Sequence, residues 1–217
     1  AEAKSRVQRK LGAVFPRVQL NWDATLPSHG YALLVQDVSA GGGTLPERDA
    51  IPAGSAPSED RLAAEVEALI ARNAAALLGI QETQNLIQLM RREHGELVAE
   101  LTRLVPPQRV TDVLRRLVQE GVSIRNLRAI FESLITWSPK EPDDVIGLVE
   151  LVRVDLRRQI TEQFCGAGRA LDVVLFEQSL QERIEQAVVH TKQGSVLSLT
   201  REVRQAVTDQ VVKAVGG

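Results

Sequence analysis

Cysteine is nearly missing from this chain: Cys165 is the single one among 217 residues. An intramolecular disulfide is therefore impossible, a zinc site built on cysteines is excluded, and a reducing compartment fits best. Aromatic residues make up only 3%. Packing falls to Leu, Val, Ile and Ala, and so aliphatic a chain, rich in Arg and Glu, leans to helix. No apolar run approaches the roughly 20 residues that cross a bilayer. The opening stretch Ala1-Glu2-Ala3-Lys4-Ser5-Arg6 is charged, unlike a signal peptide. If the protein works at a membrane, its anchor is expected outside this sequence. The formal net charge of -2 gives no broad attraction for nucleic acid. The local pairs Arg115-Arg116 and Arg157-Arg158 read as solvated helix faces.

Signatures of catalysis are also lacking. His29, His94 and His190 stand in three separate regions, with no His-Glu-x-x-His spacing and no clustered acids, so no metal site is expected. There is no Gly-x-Ser-x-Gly elbow. The run Gly41-Gly42-Gly43 is not followed by a Lys-Ser/Thr pair opening a helix, which a phosphate loop requires. Asp143 and Asp144 follow Pro142 and read as helix caps. Cys165 has no electropositive neighbours to activate it. No catalytic residue, cofactor site or metal site emerges, and the chain is not expected to be an enzyme.

What is present is a 44% hydrophobic, 25% charged sequence, enough for one large core or a few small ones. Residues 1–11 read as a helix stopped by Gly12. Alternation at Val18, Leu20 and Trp22 predicts a strand over 17–22, and a second apolar strand follows over 31–38. Residues 40–58 carry the glycine run with Pro46, Pro52, Gly54 and Pro57, and read as a flexible linker.

From Ser58 the pattern is helical for about a hundred residues. Gly79 is expected to end the first of these helices, and two short ones follow before Pro106-Pro107. Val110, Val113, Leu114, Leu117 and Val118 give a clean helical stripe over 107–119, closed by Gly121. Ser123 is the expected cap of the next helix, which carries Ile124, Leu127, Ile130, Phe131, Leu134 and Ile135. One long helix is expected after Asp143 or Asp144. Residues 171–176 then read as a strand, 178–191 as a helix, and Thr200 as the cap of a last one.

The fold class is therefore α+β, predominantly helical, in several small subdomains: a central all-helical subdomain flanked by α/β pieces. The expected boundaries are 1–57, 58–80, 81–165 and 166–217, the last of which looks short of partner strands. The pair of helices around Gly121 has the length of a helix-turn-helix, with Arg125 and Arg128 near the start of a recognition helix. A packed helical hairpin uses the same short glycine turn.

The stretch Val110-Thr111-Asp112-Val113-Leu114-Arg115-Arg116-Leu117-Val118-Gln119-Glu120-Gly121-Val122-Ser123-Ile124-Arg125-Asn126-Leu127 strongly resembles the C-terminal domain of the type III secretion export gate family of flagella and virulence injectisomes. The resemblance continues through Phe131 to Glu141 and Leu148 to Ile160, and upstream in Leu77-Leu78-Gly79-Ile80-Gln81-Glu82-Thr83-Gln84. The Ile135-Thr136-Trp137 ending is more like the virulence branch. Two departures stand out. Family members carry an inserted small subdomain where this chain has residues 40–58, and they continue past Val212 into further strands.

The resemblance implies a membrane-spanning N-terminal half and a cytoplasmic half that forms a nonameric ring at the bacterial inner membrane. That ring would receive chaperone–substrate and gatekeeper complexes beside other export apparatus and ATPase-complex components. It implies no cofactor and no nucleic acid. A closed ring needs heterologous contacts. The expected polar contacts are Arg115, Glu120, Arg125, Arg128 and Glu132, each of which is otherwise an exposed helix charge worth little. A DNA-binding regulator and a generic helical adaptor are the alternative readings.

Overall fold

The computed structural model describes residues 2–16, 19–45, 58–140, 144–165, 170–171, 173, 175–191 and 194–215. The chain divides into two compact units, Ala1–Thr136 and Trp137–Gly217. The architecture is α+β and predominantly helical, with two small two-stranded sheets.

In the first unit the helices are α1 (Glu2–Leu11), α2 (Ser58–Arg72), α3 (Ala74–Leu77), α4 (Ile80–Arg91), α5 (Gly95–Leu104), α6 (Pro107–Gln119) and α7 (Leu127–Trp137). Helix α6 begins with Pro at a position whose N–H is not needed. It buries Val110, Val113, Leu114, Leu117 and Val118, and packs on α3 and α4. It ends in a Schellman motif: Gly121 N–H donates to Val118 O at 3.1 Å and Val122 N–H to Leu117 O at 2.8 Å. The φ of Gly121 is 74°, where a side chain is disfavoured. A buried polar contact joins α4 and α6: the hydroxyls of Thr83 and Thr111, 3.0 Å apart. Each hydroxyl also has a carbonyl one turn back within reach, Gly79 O or Pro107 O.

The expected helix from Ser58 is split at Asn73 into α2 and α3. Gly79 does not end it. Gly79 instead caps α4, where its N–H donates to the Glu82 carboxylate at 2.9 Å.

The β segment departs further from expectation. Strands β1 (Gly30–Val35) and β2 (Val38–Thr44) pair with each other as an antiparallel hairpin. Gln36 and Asp37 between them both have positive φ, 52° and 64°, the geometry of a type I′ turn without its usual Asn-Gly. Thus the glycine run expected in a linker lies in β2. A side chain at Gly42 would stand 2.8 Å from the Tyr31 carbonyl oxygen, so the bare backbone is what allows this pairing. Tyr31 donates its hydroxyl to Glu65 of α2, a bond that raises the phenol pKa above its usual value. The strand expected over 17–22 is not formed at its described positions: Leu20 and Trp22 are irregular and 98% and 95% exposed. Residues 46–57 of the expected linker lie outside the described residues.

The second unit contains α8 (Val145–Asp155), α9 (Arg157–Cys165), α10 (Gln178–Gln186), β3 (Val188–Thr191), β4 (Gly194–Leu197) and α11 (Arg201–Val215). Asp144 caps α8 by accepting from Gly147 N–H at 2.9 Å. The expected single long helix breaks at Leu156 into α8 and α9. Trp137 Nε1–H donates to Asp155 at 2.8 Å, with Lys140 Nζ 4.3 Å above the ring. The strand expected over 171–176 is irregular at its described positions. The helix expected over 178–191 stops at Gln186, and Val188 to Thr191 instead pair with β4. Thr200 does cap α11, accepting from Val203 N–H at 3.4 Å.

Leu117 is fully buried on α6, so Leu117→Ala should lower stability by about 2–5 kcal/mol. Leu20→Ala, at an exposed position, should change it by less than about 0.5 kcal/mol. Urea unfolding midpoints of the two variants check this.

Candidate functional site

The five residues expected at a ring contact lie on α6, on the segment 120–126, and on α7. Their surroundings sort them. Arg115 is half-buried, and its Nε–H donates to the Leu78 carbonyl oxygen at 2.6 Å, tying α6 to the end of α3. Glu120 pairs with Arg116, one turn earlier, at 3.5 Å. Arg128 and Glu132 pair with each other at 2.9 Å across one turn of α7. These two also form one wall of an open hollow of about 290 Å³, whose other wall is the α4–α5 corner from Glu93 to Leu97. Farther along α5, Arg103 holds the Glu100 carboxyl below its usual pKa through a 2.6 Å ion pair.

Arg125 differs from the other four. Its side chain is exposed, and its guanidinium meets no carboxylate among the described residues. Its backbone, by contrast, is fixed. Ile124 just before it is fully buried, and Leu127 just after it is buried too. The Arg125 N–H points to Ser123 Oγ at 3.4 Å.

Ser123 is not the cap of α7. That role falls to Asn126, whose Oδ1 accepts from Ala129 N–H at 3.2 Å, so α7 begins at Leu127. Ile124 follows the helical spacing but lies in the connection. It is buried there because the end of α1 docks on it, through Ile124 N–H donating to Leu11 O at 2.7 Å. The connection between α6 and α7 is therefore residues 120–126, longer than the three- or four-residue turn of a DNA-reading helix pair. Arg125 precedes the second helix and is not part of it.

The sequence reading missed two partners of this site. The Arg116–Glu120 pair was visible as an i, i+4 spacing. The close approach of Gly12 to Arg125, where a Cβ on Gly12 would stand 2.5 Å from Arg125 Cγ, was not, because it joins distant parts of the chain and leaves no periodic trace. His94 precedes α5, and His29 lies in the turn before β1 with φ 59°. Among the described residues, no three His, Cys, Asp or Glu side chains gather as an ion-holding group.

Comparison with known proteins gives consistent matches. The description of the FHIPEP family fits residues 53–217. Low calcium response locus protein D of Yersinia pestis is 41% identical over 143 residues, 66% of this chain and 20% of that protein. This chain thus spans only a small part of that relative. In the structure of the Chlamydia pneumoniae CdsV and CdsO protein complex, one chain is 26% identical with a TM-score of 0.84, covering 98% of this chain and 72% of that one. The nonameric EscV cytosolic domain from the type III secretion system is 27% identical with a TM-score of 0.78, covering 98% and 74%.

Arg115 serves its own unit, so Arg115→Met should destabilise by about 1.5–3 kcal/mol, the cost of orphaning a charge-assisted bond. Arg128→Ala removes an exposed ion pair and should cost at most about 1 kcal/mol. Equal losses in denaturant unfolding would contradict that division.

Proposed function

This chain belongs to the FHIPEP family, the export-gate proteins of type III secretion systems, in its virulence branch, and we propose that it is a ring-forming docking module of that gate. The observation that carries the reading is the match of 98% of this chain to a cytosolic domain that is itself nonameric. Among the described residues, no helix is long and apolar enough to cross a membrane.

The ring contact is heterologous, as closure of nine copies requires. Arg125 is its leading polar member, because it is the one of the five expected residues that is exposed and not already paired within its own unit. Arg128 and Glu132, paired and exposed beside the hollow, form its flank. The module receives chaperone–substrate and gatekeeper complexes and does no chemistry itself. The CdsV and CdsO complex supports a further contact with the corresponding subunit of this system.

Arg125→Glu should raise the concentration for half-assembly about tenfold or more, as expected for loss of an interfacial arginine. Its thermal midpoint should stay close to that of the parent chain. Sedimentation at graded concentrations reads both species. Unchanged assembly by a folded variant would remove Arg125 from the contact.

A further inference from the structure

Arg125 is held from outside its own loop as well as from within. Leu11, the last residue of α1, accepts a 2.7 Å hydrogen bond from Ile124 N–H. Gly12 then packs directly on the next residue. A Cβ at Gly12 would stand 2.5 Å from Arg125 Cγ, 2.6 Å from its N and 2.7 Å from its Cα. The φ of Gly12 is 74°, so the position excludes side chains both by conformation and by space. The result is an arginine with an immobilised backbone and a guanidinium in solvent.

We propose that Gly12 and the end of α1 are a positioning element for Arg125, fixing the backbone from which it reaches the neighbouring copy. This rests on the reading of Arg125 as a ring contact. A long side chain on a fixed backbone has less freedom to lose when it engages a partner than one on a mobile loop. The same geometry couples α1 to assembly: displacing α1 moves the point from which Arg125 departs. A purely structural Gly12 would lower fold stability and weaken assembly by the same factor whether or not an arginine stood at position 125. A positioning Gly12 acts through the guanidinium.

A double-mutant cycle on the purified chain separates these roles, with assembly followed by mass against concentration. Gly12→Ala should raise the half-assembly concentration about three- to tenfold in the parent chain, and by less than about twofold in the Arg125→Ala background. Arg125→Lys keeps a cation to position and should retain most of the sensitivity to Gly12→Ala. Should Gly12→Ala fail to fold, Ser123→Ala loosens the same backbone from its other side by removing the oxygen that Arg125 N–H points to. It should give a smaller effect with the same dependence on Arg125. Equal effects in both backgrounds overturn the positioning role and leave the ring contact standing. An Arg125→Ala chain that assembles as well as the parent, or a parent chain that never assembles, overturns both.

Discussion

Helix α6 buries six of its thirteen residues along one stripe. Five of the six are aliphatic, and each leaves water almost completely. At roughly 1.5–3 kcal/mol for a fully buried Val or Leu side chain, this single face outweighs all the exposed ion pairs of the unit. Helices α3 and α4 pack on it, and the Thr83–Thr111 hydroxyl pair fixes the register of α4 against it. Arg115, on the edge of the stripe, ties down Leu78. The Schellman turn at Gly121 ends the helix at a defined residue and sends the chain back under it, so that Val122 and Ile124 are buried as well.

The proposed assembly surface follows from that reversal. Val122, Ser123 and Ile124 are buried, and Arg125 after them stands at the surface with its backbone packed against Gly12. Arg125 is therefore presented by the core, in the way that binding residues are best held by rigid supports. The arrival of α1 at Ile124 completes the hold. Exposed charge pairs elsewhere, such as Arg128–Glu132, are satisfied locally and have less to gain from a partner.

Much of this was legible in the sequence. The bounds of α6 follow from Pro107, a 3.6-residue stripe and Gly121, and all three signals are local. The family could be read from the same stretch. What escaped the sequence depends on contacts between distant segments. Ile124 keeps helical spacing, yet it is buried by the end of α1 and not by a helix of its own. Gly41, Gly42 and Gly43 look like a linker, but their bare backbone is what lets Tyr31 lie against β2 and reach Glu65. Val188 fits a helical stripe as well as a strand, and the pairing with Leu197 decides it. In the candidate site, five charges have equal standing when only their spacing is read. Only their partners, a carbonyl for Arg115 and carboxylates or guanidinia for three others, separate Arg125 from the rest.

Whether this chain builds a ring from its own surface is measured most directly by light scattering of the purified chain over a wide concentration range. The mass should climb from 23.8 kDa toward nine times that value as concentration rises. A mass of 23.8 kDa at every concentration would contradict the claim that the α6–α7 surface carries the ring contact by itself.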